Sequence, residues 1–470
     1  MAENELIKEI EKAKEKYSQY IHEEEEKENF IKLMEKFVKD LKRHEKIMLR
    51  SDKRQKKEYD ELQKRLEEVE KLQKAQKKLI DSFIKIIAEA IDTKSSYTGK
   101  HCERVPEIAI ELAKAASQSE KFEFEIKNEQ QETEISIAAW LHDCGKIVTP
   151  EYVVDKAVKL ETIYNRIHEI RTRFEVINRD LIIEALKRKM NGEDEKKVDE
   201  WLKKEQKQLQ DDFDFIAKLN VGSESIEEST LERLQNIANR EWLRYFDDTK
   251  GLSKGEIERI PEEDFNQKLP VREKLISDKQ RHKIKRPAEE IEEYKKYGFK
   301  VEIPENLYNY GEVYNLSIKK GTLTKEEFFK IQEHAMMTIK MLEQLPFPDY
   351  LKNVPIYAGA HHEKLNGKGY PRKLTEKDLP IPARIMAIAD IFEALTASDR
   401  PYKHPKKLSE AIDILADMVK KGELDKDLFL LFLTSGIYLE YAKKYLKPEQ
   451  IDDVDVNAYV DYFTKGNKTN

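Results

Sequence analysis

Two histidines stand side by side, His361 and His362, at the head of the segment HHEKLNGKGYP that ends at Pro371. Each imidazole needs hydrogen-bond partners once it leaves water, so an adjacent pair is a poor choice for packing and a good one for holding a metal ion. Behind the pair, Asn366-Gly367-Lys368-Gly369-Tyr370-Pro371 reads as a turn, in which glycine lets the backbone approach a ligand and proline stiffens the exit. Asp390 lies in the apolar run Ile385, Met386, Ile388, Ala389, Ile391, Phe392. An unpaired carboxylate is costly there, and a cation removes the cost. Upstream, His142-Asp143 ends the apolar run Ile137 to Leu141 and offers one nitrogen plus a carboxylate able to bridge two cations. Lys146, one turn on, can bring a proton or a positive charge to a phosphate. His101, near a helix start, and His334, beside Phe328, Ile331 and Met337, would each read alone as an ordinary surface or core histidine. Together the five imidazoles and two carboxylates suffice for two divalent transition ions with positions left for water, the composition of a two-metal hydrolase site. Nitrogen-rich donors favour iron, manganese, nickel or zinc over magnesium or calcium, and the lack of cysteine among them argues against a structural zinc.

The elements that must position these groups are helical. Of the 470 residues 39% are hydrophobic and 38% charged, with only 15 glycines and 15 prolines. Rich in Glu, Lys, Leu and Ile, the chain reads as all-α. A net charge of −7 spread over both signs gives no support for a partner of nucleic-acid polymer. Cys102 and Cys144 read as reduced, buried thiols. No run approaches the roughly 20 apolar residues of a membrane span, and MAENELIKEIEKAKEK lacks the core of a signal peptide, so a soluble, cytoplasmic chain is expected. Residues 1–79 form a Glu/Lys-rich helical segment with the stripes Phe30, Met34, Phe37, Leu41 and Tyr59, Leu62, Leu66, Val69, Leu72, Leu79, Phe83. Such narrow stripes predict a coiled coil and a homodimer; folding back onto the same chain is the plainer alternative. Residues 80–470 form the catalytic domain. It is interrupted at about 156–310 by a charged insertion whose apolar positions Leu160, Ile163, Ile167, Ile170, Phe174 and Ile177 predict a helical hairpin or small subdomain, with 246–304 loop-rich, His168 a surface or packing residue and His282 facing solvent. Thr322 or Thr324 caps the helix bearing His334. The tail from Leu408 closes the core.

HDCGK, HHEKLNGKGYP and ADIFEALTASDRPYK, with His101 in YTGKHCERVPEIA before them and His334 in GTLTKEEFFKIQEHA between, resemble the HD-GYP family of the HD-domain phosphohydrolase superfamily, over about Leu79 to Tyr445 apart from the insertion. The resemblance implies an HD-type helical bundle and a metal-dependent phosphodiesterase. Its substrate would be the bacterial messenger cyclic di-GMP, opened to linear pGpG and, in some members, GMP. It implies His101, His142, Asp143, His334, His361, His362 and Asp390 as ligands of two ions, iron or manganese first and nickel or zinc as alternatives, with Asp143 bridging. Lys146 would assist the leaving oxygen or stabilise charge on the phosphate. Gly369, Tyr370 and Pro371 would shape the substrate pocket, and Arg400 and Lys403 would contact phosphate.

This chain departs from the family pattern at three places. Asn366 stands where an aspartate is usual before the GYP triplet and removes a charge, which puts turnover in question. Glu393 replaces the usual aspartate three residues after Asp390 and moves the acid by a methylene. Tyr97 stands where some members place a third-metal glutamate, so two metals are expected. The mechanism expected is attack on phosphorus by a hydroxide bridging the two ions, with the 3′ oxygen leaving. The alternatives are a catalytically weak cyclic-dinucleotide sensor that signals through the coiled coil, and a phosphohydrolase for another cyclic nucleotide or dinucleotide.

Overall fold

The computed structural model describes residues 2–94, 100–222, 226–265, 267–397 and 406–465. The chain divides into two units, Met1–Phe83 and Ile84–Asn470. In the first, helix α1 (Ala2–Ser18) is followed by the long helix α2 (Glu24–Lys94), so the helical segment is broken at residues 19–23. The break follows from local chemistry: Glu24, Glu25 and Glu26 favour a new N-terminus, where carboxylates meet the positive end of the helix dipole. α1 lies back along the start of α2, burying Ile7 and Val38 and pairing Lys14 with Glu35 at 2.6 Å. The fold-back buries Val38 beside the first stripe, whereas Phe37 of that stripe is 52% exposed. The second stays exposed from Tyr59 to Phe83, at Leu62, Leu66, Val69, Leu72 and Leu79 as well.

In the second unit the residues of α2 from Ile84 onward join α3 (His101–Ser117) and α4 (Glu129–Leu141) in the main core. Val105, Ile108, Ala109, Leu112, Ala113 and Ala116 recur at three- and four-residue steps on α3, and all are buried. Asp92 accepts the Cys102 backbone N–H at 3.1 Å, satisfying a donor at the start of α3. A 3₁₀ turn, Cys144–Val148, and a single turn, α5 (Glu151–Val154), lead into the inserted region.

There α6 (Ile167–Met190) and α7 (Glu195–Val221) form the expected hairpin, with α8 (Glu228–Ala238) against it. Leu160, Ile167, Ile170, Phe174 and Ile177 bury against Leu209, Ile216, Leu234 and Ile237, but Ile163 is 91% exposed. The remainder of the insertion is more than loop. β1 (Glu241–Arg244), α9 (Lys254–Ile257), β2 (Val271–Lys274), β3 (Lys283–Lys285), α10 (Ala288–Lys296) and β4 (Asn306–Asn309) make two antiparallel ribbons, β1 on β2 and β3 on β4. These strands, three or four residues long and mostly polar, carry no alternating apolar pattern to announce them. His282 is not solvent-facing: it is partly buried, its Nδ1 accepts the Lys279 N–H at 3.2 Å, and burial brings its pKa down to about 4.

After α11 (Glu312–Leu316), helix α12 (Lys325–Glu343) opens on a capping box in which Thr324 and Glu327 satisfy each other's backbone N–H groups. Lys156 reaches the same Glu327 at 2.7 Å in a buried ion pair. α13 (Val354–Gly359), α14 (Ile381–Thr396), α15 (Leu408–Lys420), α16 (Lys426–Thr434), α17 (Ile437–Tyr445) and α18 (Val456–Lys465) complete the bundle. Phe392, Leu415, Phe429 and Phe432 sit in its core, so the tail closes it as expected. Both cysteines are buried and free. Among the described residues no helix is long and apolar enough to cross a membrane.

Candidate metal centre

Five histidines and two aspartates, up to 289 positions apart in sequence (Asp390 minus His101), converge where α3, α4, α12, α13 and α14 meet. His101 opens α3, His142 caps the end of α4, His334 lies in the middle of α12, His361 and His362 follow α13, and Asp390 lies on α14. They form two groups. His101 Nε2 and His142 Nε2 are each 3.3 Å from Asp143 Oδ2, and His101 Nε2 is 3.2 Å from Asp390 Oδ1. On the other side of the same carboxylate, Asp143 Oδ1 is 3.4 Å from His334 Nε2 and 3.8 Å from His361 Nε2, while His362 Nε2 is 3.0 Å from His334 Nε2. Asp143 therefore faces one set of nitrogens with each oxygen. His101, His142 and Asp143 form one group able to hold a metal ion, and His334, His361 and His362 form another.

The far side of four rings is tethered. His142 Nδ1 meets Ala139 O at 2.7 Å, His361 Nδ1 meets Ala358 O at 2.5 Å, and His334 Nδ1 meets Ile331 O, each carbonyl three residues back; His101 Nδ1 meets Glu393. A carbonyl can only accept, so Nδ1 carries the proton and, in the neutral ring, Nε2 presents its lone pair to the centre. Burial lowers the pKa of His334, takes that of His361 down to about 3 with help from neighbouring His142 and His334, and holds His362 well below its usual value. Burial opposes charge on His142 too, but the carboxylates of Asp143 and Asp390 lift it to about 9. The donor set fits two transition ions: imidazole nitrogens in excess, one shared carboxylate, and a second carboxylate on one side.

Lys146 Nζ lies 2.5 Å from Asp143 Oδ2; burial disfavours its charge, but Asp143 raises its pKa and keeps the ammonium. The Tyr370 ring stands 4.7 Å from that of His362, and its backbone N–H donates to His362 O at 3.2 Å. Burial, with Asp390 and Asp143 nearby, keeps its phenol protonated. Gly369 admits no side chain, since a Cβ there would fall 2.5 Å from Glu363 Cα. Glu363 closes the turn by accepting the N–H groups of Arg372 at 2.6 Å and Leu374 at 2.9 Å. Asn366 donates from Nδ2 to Lys421 O at 3.0 Å and accepts the Lys368 N–H at 3.0 Å. An ionised aspartate could not make the first of these bonds, so the amide clasps the turn to the loop after α15. Arg400, Lys403 and Tyr97 lie outside the described residues.

Three supporting residues were not singled out from sequence. Arg104 donates to Glu393 Oε1 at 2.6 Å, so the buried Glu393 carboxylate is shared between the His101 ring and a guanidinium. Thr338 on α12 donates to His142 O at 3.0 Å and accepts the Gly145 N–H at 2.9 Å, stitching the HDCGK segment to the helix that bears His334. Gly145 has no room for a Cβ against that helix. The spacing of Arg104, one turn after His101, was the available signal for the first; nothing local marks Thr338.

Residues 270–428 match the family model of the HD domain. The likeness of the chain to an HD domain is thus carried by a stretch that holds His334, His361, His362 and Asp390. Among curated proteins it is 37% identical over 144 residues, 29% of this chain, to a 3'3'-cGAMP-specific phosphodiesterase of Vibrio cholerae. It is 43% identical over 94 residues, 20% of the chain, to a cyclic di-GMP phosphodiesterase of Thermotoga maritima, and 35% identical over 121 residues, 26% of the chain, to another of Pseudomonas aeruginosa. The matches span 32%, 25% and 28% of the lengths of these relatives.

Proposed function

We propose that this chain is a metal-dependent phosphodiesterase that opens cyclic di-GMP to linear pGpG, GMP or both. The observation that carries the reading is Asp143, whose two oxygens face two separate sets of imidazole nitrogens across one buried centre. In this reading His101, His142, Asp143 and Asp390 hold one ion, and Asp143, His334, His361 and His362 the other, with iron or manganese favoured. When bound, such ions polarise a phosphoryl oxygen and acidify a water to the point of deprotonation near neutral pH. The chain's own groups do the rest. Lys146 brings an ammonium to the edge of the centre, where it can neutralise phosphate charge or protonate the departing 3′ oxygen. Tyr370 offers a phenolic donor, and the Gly369 turn gives a substrate wall without side-chain bulk. Arg400 and Lys403 are proposed phosphate contacts.

The test is to load the purified chain with iron or manganese, count bound metal, and separate the digestion products of cyclic di-GMP. Two ions per chain and linear product are expected; tight binding without product would reverse the reading in favour of a sensor. Relatives in Vibrio cholerae named as 3'3'-cGAMP-specific favour a second substrate reading, and that dinucleotide belongs in the same assay. Residues 80–470 are proposed as the catalytic domain, with 156–310 as its insertion, and 1–79 as a coiled-coil segment. The exposed stripe from Tyr59 to Phe83 supports pairing with a second copy, since one helix cannot bury such a face alone. Sedimentation at micromolar concentration is expected to give a dimer, and monomer at all concentrations would remove this part.

A further inference from the structure

The metal-site helix α12 carries, immediately before His334, a carboxylate that is itself buried: Glu333, 2% exposed. Buried carboxylates need partners. Lys330, on the same helix, supplies one at 2.6 Å. The other two come from the inserted region. Tyr294 Oη donates to Glu333 Oε1 at 2.7 Å, and Arg286 Nη1 approaches the same oxygen at 3.4 Å. The Arg286 side chain is wholly covered, pairs through Nη1 with Glu290 of its own segment as well, lies 4.5 Å over the Phe329 ring, donates through Nε to Pro304 O at 3.3 Å, and leaves Nη2 without a hydrogen-bond partner. A guanidinium buried with an unsatisfied N–H is an expensive way merely to pack a segment.

The same segment grips α12 on both sides of His334. Tyr294 and Phe299 pack with Phe329, Met336 and Ile339 in one apolar cluster, and Glu293 pairs with Lys340 at 2.6 Å. It also reaches the turn that faces His362: the Lys300 N–H donates to Pro371 O at 2.8 Å, and Arg372 lies 5.7 Å over the Phe299 ring. One stretch of the insertion thus touches both the helix of His334 and the turn of Tyr370 and Pro371. The histidine group on the other side of Asp143 is held differently, through Glu393 and Arg104.

We propose that Arg286 to Lys300 is a positioning clamp for the three-histidine half of the centre, setting the rotation of α12 and hence the aim of His334, and holding the Tyr370–Pro371 turn against it. Arg286 and Tyr294 are positioning residues that act through Glu333. The inference rests on the two-metal reading above, and its test separates the two. Metal-free full chain is titrated with Mn²⁺, following bound ion per chain and the electron paramagnetic resonance signal of the coupled pair. Wild type is expected to take two ions. The double variant Arg286→Met, Tyr294→Phe, checked for retained helix by circular dichroism, is expected to keep the affinity of the first ion and to bind the second about 10- to 100-fold more weakly, the usual cost of losing a group that orients a ligand. Two ions bound with unchanged affinities by the folded double variant would overturn the clamp. A single ion on wild type would overturn the two-metal reading and the clamp with it. Should the double variant not fold, Tyr294→Phe alone removes one hydroxyl and keeps the ring, and an unchanged second affinity in it overturns the clamp equally.

Discussion

Replacing Asp143 with alanine is expected to end the proposed hydrolysis of cyclic di-GMP, lowering kcat/KM by more than about 10³-fold, or at least ~4 kcal/mol of transition-state stabilisation. Among the described residues no other side chain in the centre presents one oxygen to each histidine group: Asp143 Oδ2 lies 3.3 Å from His101 and His142, and Oδ1 3.4 Å from His334. Its removal also takes from Lys146 the carboxylate that sits 2.5 Å from its ammonium. The fold should survive, because the apolar core of α3, α4, α14, α15 and α16 does not include this side chain. The variant should therefore give an unchanged circular dichroism spectrum, bound metal below two ions per chain, and no linear dinucleotide by chromatography. Asp143→Asn preserves the shape but not the charge, and is expected to behave like the alanine variant. Turnover near the wild-type rate in either would exclude the bridging role.

Gly145→Ala is expected to be the most damaging small substitution in the HDCGK segment. A Cβ at this position would overlap His334 O and come within 2.5 Å of Thr338 N. Both are backbone atoms of a regular helix, so neither can swing aside as a side chain would. The 3₁₀ turn Cys144–Val148 must then lift from α12, breaking the two bonds through Thr338. Overpacking of this kind costs ~3 kcal/mol or more when only backbone can yield. The thermal midpoint should drop by several degrees, and because the displaced surfaces carry His142, Asp143 and His334, metal binding should fall with it. A variant with wild-type midpoint and metal content would show that the approach is looser than the geometry indicates.

How much of this was legible in the chain differs sharply from residue to residue. His361, His362, His142, Asp143 and Asp390 could be named because a vicinal imidazole pair, a His-Asp pair and a carboxylate in an apolar run have few purely structural uses, whereas His101 and His334 gained meaning only beside them and through the family resemblance. The helices could be read because leucine, isoleucine and alanine recur with the period of a helix face on α3, α6 and α14. The four strands could not, since Lys283-Ile284-Lys285 has no period to detect and its pairing with Asn306 to Asn309 is decided by tertiary contact. The break between α1 and α2 contains neither proline nor glycine, so nothing in composition alone forbids a continuous helix. Asn366 looked like a lost charge, whereas its amide is used as a donor to Lys421 O, a contact made across 55 positions and therefore invisible to local spacing. Glu393 was noticed as a departure, but its sharing between His101 and Arg104 needed coordinates.

The tethers on His142, His334 and His361 have a kinetic meaning. Each ring is aimed by a carbonyl from its own turn of backbone, so its orientation is fixed as soon as that turn forms. Freezing a side chain at a binding site ordinarily costs about 0.5–1.5 kcal/mol at the moment of association; here that ordering falls on folding instead. In the proposed two-metal reading these groups would act as a rigid chelator, with the speed of ion capture and exchange governed by how water and ions reach the centre and little rearrangement of the protein around it.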